Sequence, residues 1–223
     1  MKPVIALDTL TYEVETAAES ITVLNSVSLS VQPGEFLVVT GPSGSGKTSL
    51  LRILAGLLEA TSGKVAVCDE QLLPYSDEIA TGLRRHKISM VFQSNNLSKY
   101  LTLGENIELT LENKGASRTE ARSLALDALD KVGIRELANR FPDESSGGQQ
   151  QRAGIARAIA AKSRLLLCDE PSGSLDSENS RRLGELLLEI SRTGTTVVVA
   201  THDPILEAFG TRVLNMRDGE IKS

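Results

Sequence analysis

At 223 residues the chain is long enough for one large domain to bury a substantial core without disulfide or metal staples. Lys and Arg number 24 against 29 Asp and Glu, a formal charge of −5, and no basic block interrupts the mixture, which argues against non-specific nucleic-acid binding. The first ten residues lack a cleavable signal pattern, and every apolar run falls well short of the roughly 20 residues that span a bilayer. The expectation is a soluble chain whose membrane role, if any, comes from a partner.

In chain order, residues 4–7, 27–31 and 36–40 read as strands, the last two joined by the turn Gln32-Pro33-Gly34-Glu35, so an antiparallel sheet is expected to open the fold. A glycine-rich loop follows, then a helix directing Leu50, Leu51, Ile53, Leu54, Leu57 and Leu58 toward the core. Strands are predicted at 64–68 and 87–92, with His86 at a basic, solvated helix end and the polar run 93–96 closing the second strand. Cys68 and Cys168 sit in apolar stretches and read as small buried hydrophobes in a reducing compartment.

Between about 101 and 160 the pattern turns helical. Ser117 and Glu120 form an S-x-x-E capping box, and Ala121, Leu124, Ala125, Ala128, Leu129 and Val132 make one apolar face that Gly133 ends. Residues 165–168 and 195–200 are apolar runs of the kind that form parallel strands buried on both faces. Between them Asp176 can cap a helix reaching about Ser191 and stopping at Gly194, and 212–216, Asp218-Gly219 and 220–221 predict a closing hairpin.

Gly41-Pro42-Ser43-Gly44-Ser45-Gly46-Lys47-Thr48 satisfies G-x-x-x-x-G-K-[ST] between a predicted strand and helix. Glycines let backbone N–H groups converge on phosphate oxygens at a helix N-terminus. Lys47 can reach the β- and γ-phosphates, and the Thr48 hydroxyl can ligate Mg2+. Asp169-Glu170 ends a predicted buried strand, where parallel-sheet ligands are generally bound. In isolation such a pair is more often a helix cap or solvated turn. Beside a phosphate loop it reads as Asp169 for the metal, directly or through water, and Glu170 as general base.

Ser145-Ser146-Gly147-Gly148-Gln149-Gln150-Gln151-Arg152 resembles the LSGGQ signature of ABC ATPases, with serine at 145 where the family usually has leucine. The contact positions Ser146, Gly147, Gly148 and Gln149 match. In that family the signature closes on the γ-phosphate of ATP held by the other subunit. The resemblance extends to Gln93 as the Q-loop glutamine on Mg2+ and water, Ser174-Leu175-Asp176 as the D-loop crossing the dimer, and His202 as the switch histidine. Tyr12 matches the adenine-stacking position, although a strand aromatic of this kind can equally be structural. Val91-Phe92-Gln93-Ser94-Asn95-Asn96-Leu97 and Met216-Arg217-Asp218-Gly219 are most similar to the LolD, MacB, FtsE and DevA group.

The resemblance implies an α/β fold: a RecA-like phosphate-loop NTPase core with an N-terminal antiparallel β subdomain and an inserted helical subdomain. Within a single domain over 1–223, the core is expected at about 1–93 and 161–223 and the helical part at about 94–160. It further implies an ATPase using ATP and Mg2+, dimeric with itself or a related ATPase, at the cytoplasmic face of the membrane. Expected partners are a permease, contacted near Leu97, Tyr100, Leu101 and Leu103 unless these are core, and a membrane-fusion subunit, with no nucleic acid. The exported cargo would be a lipid, lipoprotein or peptide. Alternatives are an FtsE-like ATPase regulating an envelope partner without transport, and a soluble ABC protein of DNA repair or translation, which the acidic charge and the lack of a long coiled coil disfavour.

Overall fold

The computed structural model describes residues 2–17, 19–93 and 96–222; Ser94 and Asn95 of the predicted polar run lie outside them. Among the described residues the strands form two sheets. The first, in the order β2-β1-β4-β5, is antiparallel and comprises β1 (Ile5–Glu15), β2 (Ser20–Val31), β4 (Ser62–Val67) and β5 (Glu70–Gln71). The second, in the order β10-β9-β3-β8-β7-β6, holds β3 (Phe36–Thr40), β6 (Ile88–Val91), β7 (Leu165–Asp169), β8 (Thr196–Ala200), β9 (Arg212–Arg217) and β10 (Glu220–Lys222). It is parallel except for β10, which returns beside β9 as the predicted hairpin.

Every residue of β3, β7 and β8 is buried, as continuous apolar runs require when both faces are covered. α1 (Lys47–Leu54) packs between the two sheets and shares a core with Leu37, Val39, Leu165 and Val198 on one side and Ile5, Leu10, Leu24 and Val65 on the other. On the opposite face α6 (Ser177–Arg192) buries Leu183 and Leu187 against Phe36, Val38, Val197 and Val199, where α7 (Pro204–Glu207) adds Leu206. Both cysteines are buried and unpaired; burial pushes the Cys68 thiol up to about 11 and raises that of Cys168 as well.

Three expectations are corrected and one open reading is decided. The turn at 32–35 does not close a hairpin: β2 and β3 lie in different sheets, and the chain passes from one layer to the other there. β1 and β2 run far beyond 4–7 and 27–31, because register shifts and the left-handed Thr9 (φ +49°) and Ser26 (φ +50°) break the alternation that marks strands in sequence. The first helix stops at Leu54, and with Gly56 at φ +62° the chain turns so that Leu57 is exposed. Of the two readings left open for Leu103, a partner surface or the helical core, the structure takes the core: Leu103 is wholly buried there, Leu97 packs partly against that core, and Tyr100 is exposed.

α3 (Leu103–Asn113), α4 (Arg118–Lys131) and α5 (Gly147–Ala160) form the helical segment, with a core of Leu103, Ile107, Leu129, Ile134 and Ala156 among others. The Ser117–Glu120 capping box is formed. α2 (Asp77–His86) ends in Arg84, Arg85 and an exposed His86, placing cations where the helix dipole favours them.

Asn106 on α3 has a role no sequence pattern marked. Although only 5% exposed, its amide donates to the carbonyls of Ser98, Leu101 and Thr102 and its oxygen accepts the Ser98 N–H. One side chain thus holds the irregular segment 98–102 against α3. Asn106→Ala orphans these groups and should cost about 2–4 kcal/mol in chemical denaturation. The exposed Leu109→Ala on the same helix should stay within about 0.5 kcal/mol.

Candidate functional site

β3, β7 and β8 finish level with one another: Ala200 pairs with Val39 on one side and Asp169 on the other. The loops leaving these strands therefore meet at one edge. After β3 the chain enters the loop at 41–46. Gly41 (φ +143°) and Gly46 (φ +99°) are required by close approach, since a Cβ would lie 2.0 Å from the Met216 carbonyl oxygen at the first and 2.7 Å from Leu24 Cδ2 at the second. At Gly44 (φ +82°) the position a Cβ would take has nothing within 4 Å. The backbone there faces open space.

Gly46 caps α1 and supplies no side-chain acceptor. Among the described residues the other six α-helices each have one, from Ser76, Thr102, Ser117, Ser146, Asp176 and Asp203. The N–H groups at the start of α1 are left for an external anion, where the helix dipole adds positive potential. Lys47, only 8% exposed, donates from Nζ to the carbonyls of Gly41 (2.7 Å) and Pro42 (3.0 Å). Ser45 Oγ is buried without a protein partner. Ser43 to Ser49 line one cleft together with Val23, Gln93 and Glu170.

At the bottom of this cleft Thr48 Oγ1 donates to Asp169 Oδ1 at 3.0 Å. Burial raises the Asp169 pKa and adjacent Glu170 adds to the rise, while the Thr48 bond opposes it. Two hard oxygens held this close suit a divalent cation that takes its remaining ligands from phosphate and water. No group of three or more His, Cys, Asp or Glu side chains among the described residues forms a closed metal site. Glu170 adopts a left-handed backbone (φ +47°). Its carboxylate accepts the Thr201 hydroxyl at 3.3 Å and lies 3.0 Å from His202 Nδ1. The imidazole is 77% exposed and the carboxylate side chain 15%.

A second surface forms at the start of α5. Ser146 and Gln149 make a capping box, in which Ser146 Oγ accepts the Gln149 N–H (3.3 Å) and Gln149 Oε1 the Ser146 N–H (2.9 Å). Gly147 is exposed with open space beside it, and a Cβ on Gly148 would lie 3.1 Å from the Ser174 carbonyl oxygen. Asp176 caps α6 through Asn179, whose N–H holds its carboxyl below the usual range.

Gly41 to Thr48, Gln93, Asp169, Glu170 and His202 are thus brought together. Ser146 to Gln149 and Asp176 are not part of the cleft lining. Tyr12 lies on β1, partly buried against the first core. Sequence reasoning missed Val23, whose strand context carries no local signal, and Thr201, whose only signal is adjacency to His202. It also missed Gln151, 2% exposed on α5, which donates to the Pro171 carbonyl (3.0 Å) just past Glu170.

Because the Asp169 pKa is raised by folding, its contribution to stability is full below the ordinary carboxylate range and is lost as pH rises through the folded value. Asp169→Asn should therefore resist denaturant better than the unsubstituted chain near about pH 8 without nucleotide, with the gap closing toward about pH 4. An Asp169→Asn chain no more stable at the higher pH would contradict this balance.

The sequence matches the family profile described as ABC transporter over residues 24–173. An uncharacterised ABC transporter ATP-binding protein of Mycobacterium tuberculosis is 37% identical over 99% of this chain and 89% of its own length. MacB of Escherichia coli K12, a macrolide export ATP-binding/permease protein, is 34% identical over 99% of this chain, which spans 34% of MacB. The Methanocaldococcus jannaschii protein MJ0796, an uncharacterised ABC transporter ATP-binding protein, is 40% identical over 98% of this chain and 95% of its own length. A dimeric post-hydrolysis structure of MJ0796 bound to ADP and Pi matches this fold with a TM-score of 0.94, 38% identity, and coverage of 98% and 97%. Profile, relatives and fold agree, and the chain belongs to the ABC transporter ATP-binding family.

Proposed function

We propose that this chain is the ATP-hydrolysing subunit of a dimeric motor that drives a membrane permease. The carrying observation is the uncapped start of α1, which meets Lys47, the Thr48–Asp169 pair and Glu170 in one cleft. The loop from Gly41 to Gly46 and the first turn of α1 hold the β- and γ-phosphates with backbone N–H groups. Lys47 turns its ammonium from the Gly41 and Pro42 carbonyls to phosphate oxygen. Tyr12 stacks on adenine. Thr48, Asp169 and Gln93 would hold Mg2+, whose charge would offset that of the phosphates. Glu170 takes the proton of the attacking water, and His202 contacts the γ-phosphate.

Ser146, Gly147, Gly148 and Gln149 complete the site of a second subunit, with Asp176 beside them at the dimer contact. The exposed, open backbone at Gly147 and the dimeric MJ0796 support this reading. A groove lined by Ala55, Leu57, Ile88, Met90 and Phe92, with Arg84 and Arg157 at its polar side, suits an apolar permease segment better than the predicted Leu103. MacB joins ATP-binding and permease functions in its name. By extension the partner is a permease exporting a lipid, lipoprotein or peptide, with or without a membrane-fusion subunit, and this chain sits at the cytoplasmic face. The helical part, about 94–160, transmits motion to the core at about 1–93 and 161–223. No helix among the described residues is long and apolar enough to cross a membrane.

Glu170→Gln should leave ATP affinity within about twofold, lower turnover by about 10² to 10⁴, and shift the chain to an ATP-dependent dimer in size-exclusion chromatography. Sustained turnover would remove Glu170 from the role of base. In that background Gly147→Glu should spare the fold, since an acid at a helix start is favourable, yet abolish the dimer by setting a carboxylate against the facing phosphate. A dimer that persists would place the second anion surface elsewhere.

A further inference from the structure

We propose that Thr201 is a positioning residue for hydrolysis, its buried hydroxyl aiming the Glu170 carboxylate at the attacking water. The inference rests on the reading of Glu170 as the base and adds a residue to it. Register brings the two together. Asp169 pairs with Ala200, and the Glu170 N–H donates to the Ala200 carbonyl at 2.8 Å. The Thr201 N–H continues the ladder on the other side, donating to the Val39 carbonyl at 3.1 Å. Both backbones are pinned at the sheet edge one step past the last paired residues.

The hydroxyl has a single proton to give. Its oxygen accepts the Asp203 N–H at 3.0 Å, which orients the lone pairs and leaves the proton for Glu170 Oε2 at 3.3 Å. Thr201 is fully buried, and its β-branched side chain has little rotamer freedom. His202, by contrast, is largely exposed and free to leave the carboxylate for phosphate. The left-handed Glu170 backbone (φ +47°) fixes where the side chain starts but not where its carboxylate ends. Among the described residues, Thr201 provides the contact from inside the protein that decides the second.

The test is steady-state MgATP hydrolysis by Thr201→Val, Thr201→Ser, Asp203→Ala and Glu170→Gln, with rates normalised to the fraction that binds ATP so that unfolded protein does not count. Thr201→Val should lower kcat about tenfold, the equivalent of one well-placed hydrogen bond, with KM for ATP unchanged. Thr201→Ser should restore kcat to within about twofold. Asp203→Ala disturbs the same turn by removing the cap on α7 but keeps the hydroxyl, and should retain kcat. A Thr201→Val chain with full kcat, a serine that fails to rescue, or an Asp203→Ala chain equally slow would each overturn the proposal. An active Glu170→Gln chain would instead defeat the reading of Glu170 as base. An inactive Glu170→Gln beside a fully active Thr201→Val would defeat this inference alone.

Discussion

The molecule depends on a parallel sheet buried on both faces. Parallel neighbours cannot be joined by tight hairpins, so each strand must cross over through a helix and re-enter from the same end. All the carboxyl ends then gather at one edge. Here the level pairing of Val39, Ala200 and Asp169 sets the residues that follow side by side: Thr40 before the glycine loop, Thr201 before His202, and Glu170. A slip of one residue would turn Asp169 away from Thr48.

The site is locally unfavourable. The first turn of α1 goes without the side-chain cap that the other six α-helices among the described residues have. Asp169 is ionisable where burial opposes its charge, and Glu170 occupies a backbone region worth about 1–3 kcal/mol of strain in a residue other than glycine. Leu37, Val39, Leu50, Leu51, Leu165 and Val198, all buried beneath the loop, offset these costs and deny them local relief. In the proposed function, an anion at α1 and a cation at Thr48 and Asp169 would relieve the first two directly.

α5 belongs to two cores. Ala153 and Ala156 pack with α3 and α4, whereas Ile155 and Ala158 face the main sheet beside Val91, Leu166 and Cys168. The Gln151 amide bonds the Pro171 carbonyl, Arg157 reaches the Asn96 carbonyl, and Lys114 spans from α3 to the Ala161 carbonyl and Ser163 Oγ. These polar links add to the apolar packing of α5 in both cores and tie the Ser146 end of α5 to the segment just past Glu170.

Much of the parallel core was legible because its signals are local. Apolar runs mark β7 and β8, and the spacing from Gly41 to Thr48 marks a loop whose glycines are dictated by the backbone at Gly41 and Gly46. Ser117–Glu120 and Asp176 mark helix starts that form as read. The long β1–β2 pair was obscured by its bulges, and the turn at 32–35 carries no sign of which sheet its flanking strands join, since sheet membership depends on distant partners. For the same reason the apolar side chain of Leu103 carries no local sign of whether it faces a partner or the helical core. The sequence by itself determined the residues of the proposed site for phosphate, cation and water, through chemistry each carries locally. Only the tertiary structure decided that α1 starts uncapped where the other described α-helices are capped, and that Thr201 lies against Glu170, because both follow from strand register and long-range packing rather than from neighbours in the chain.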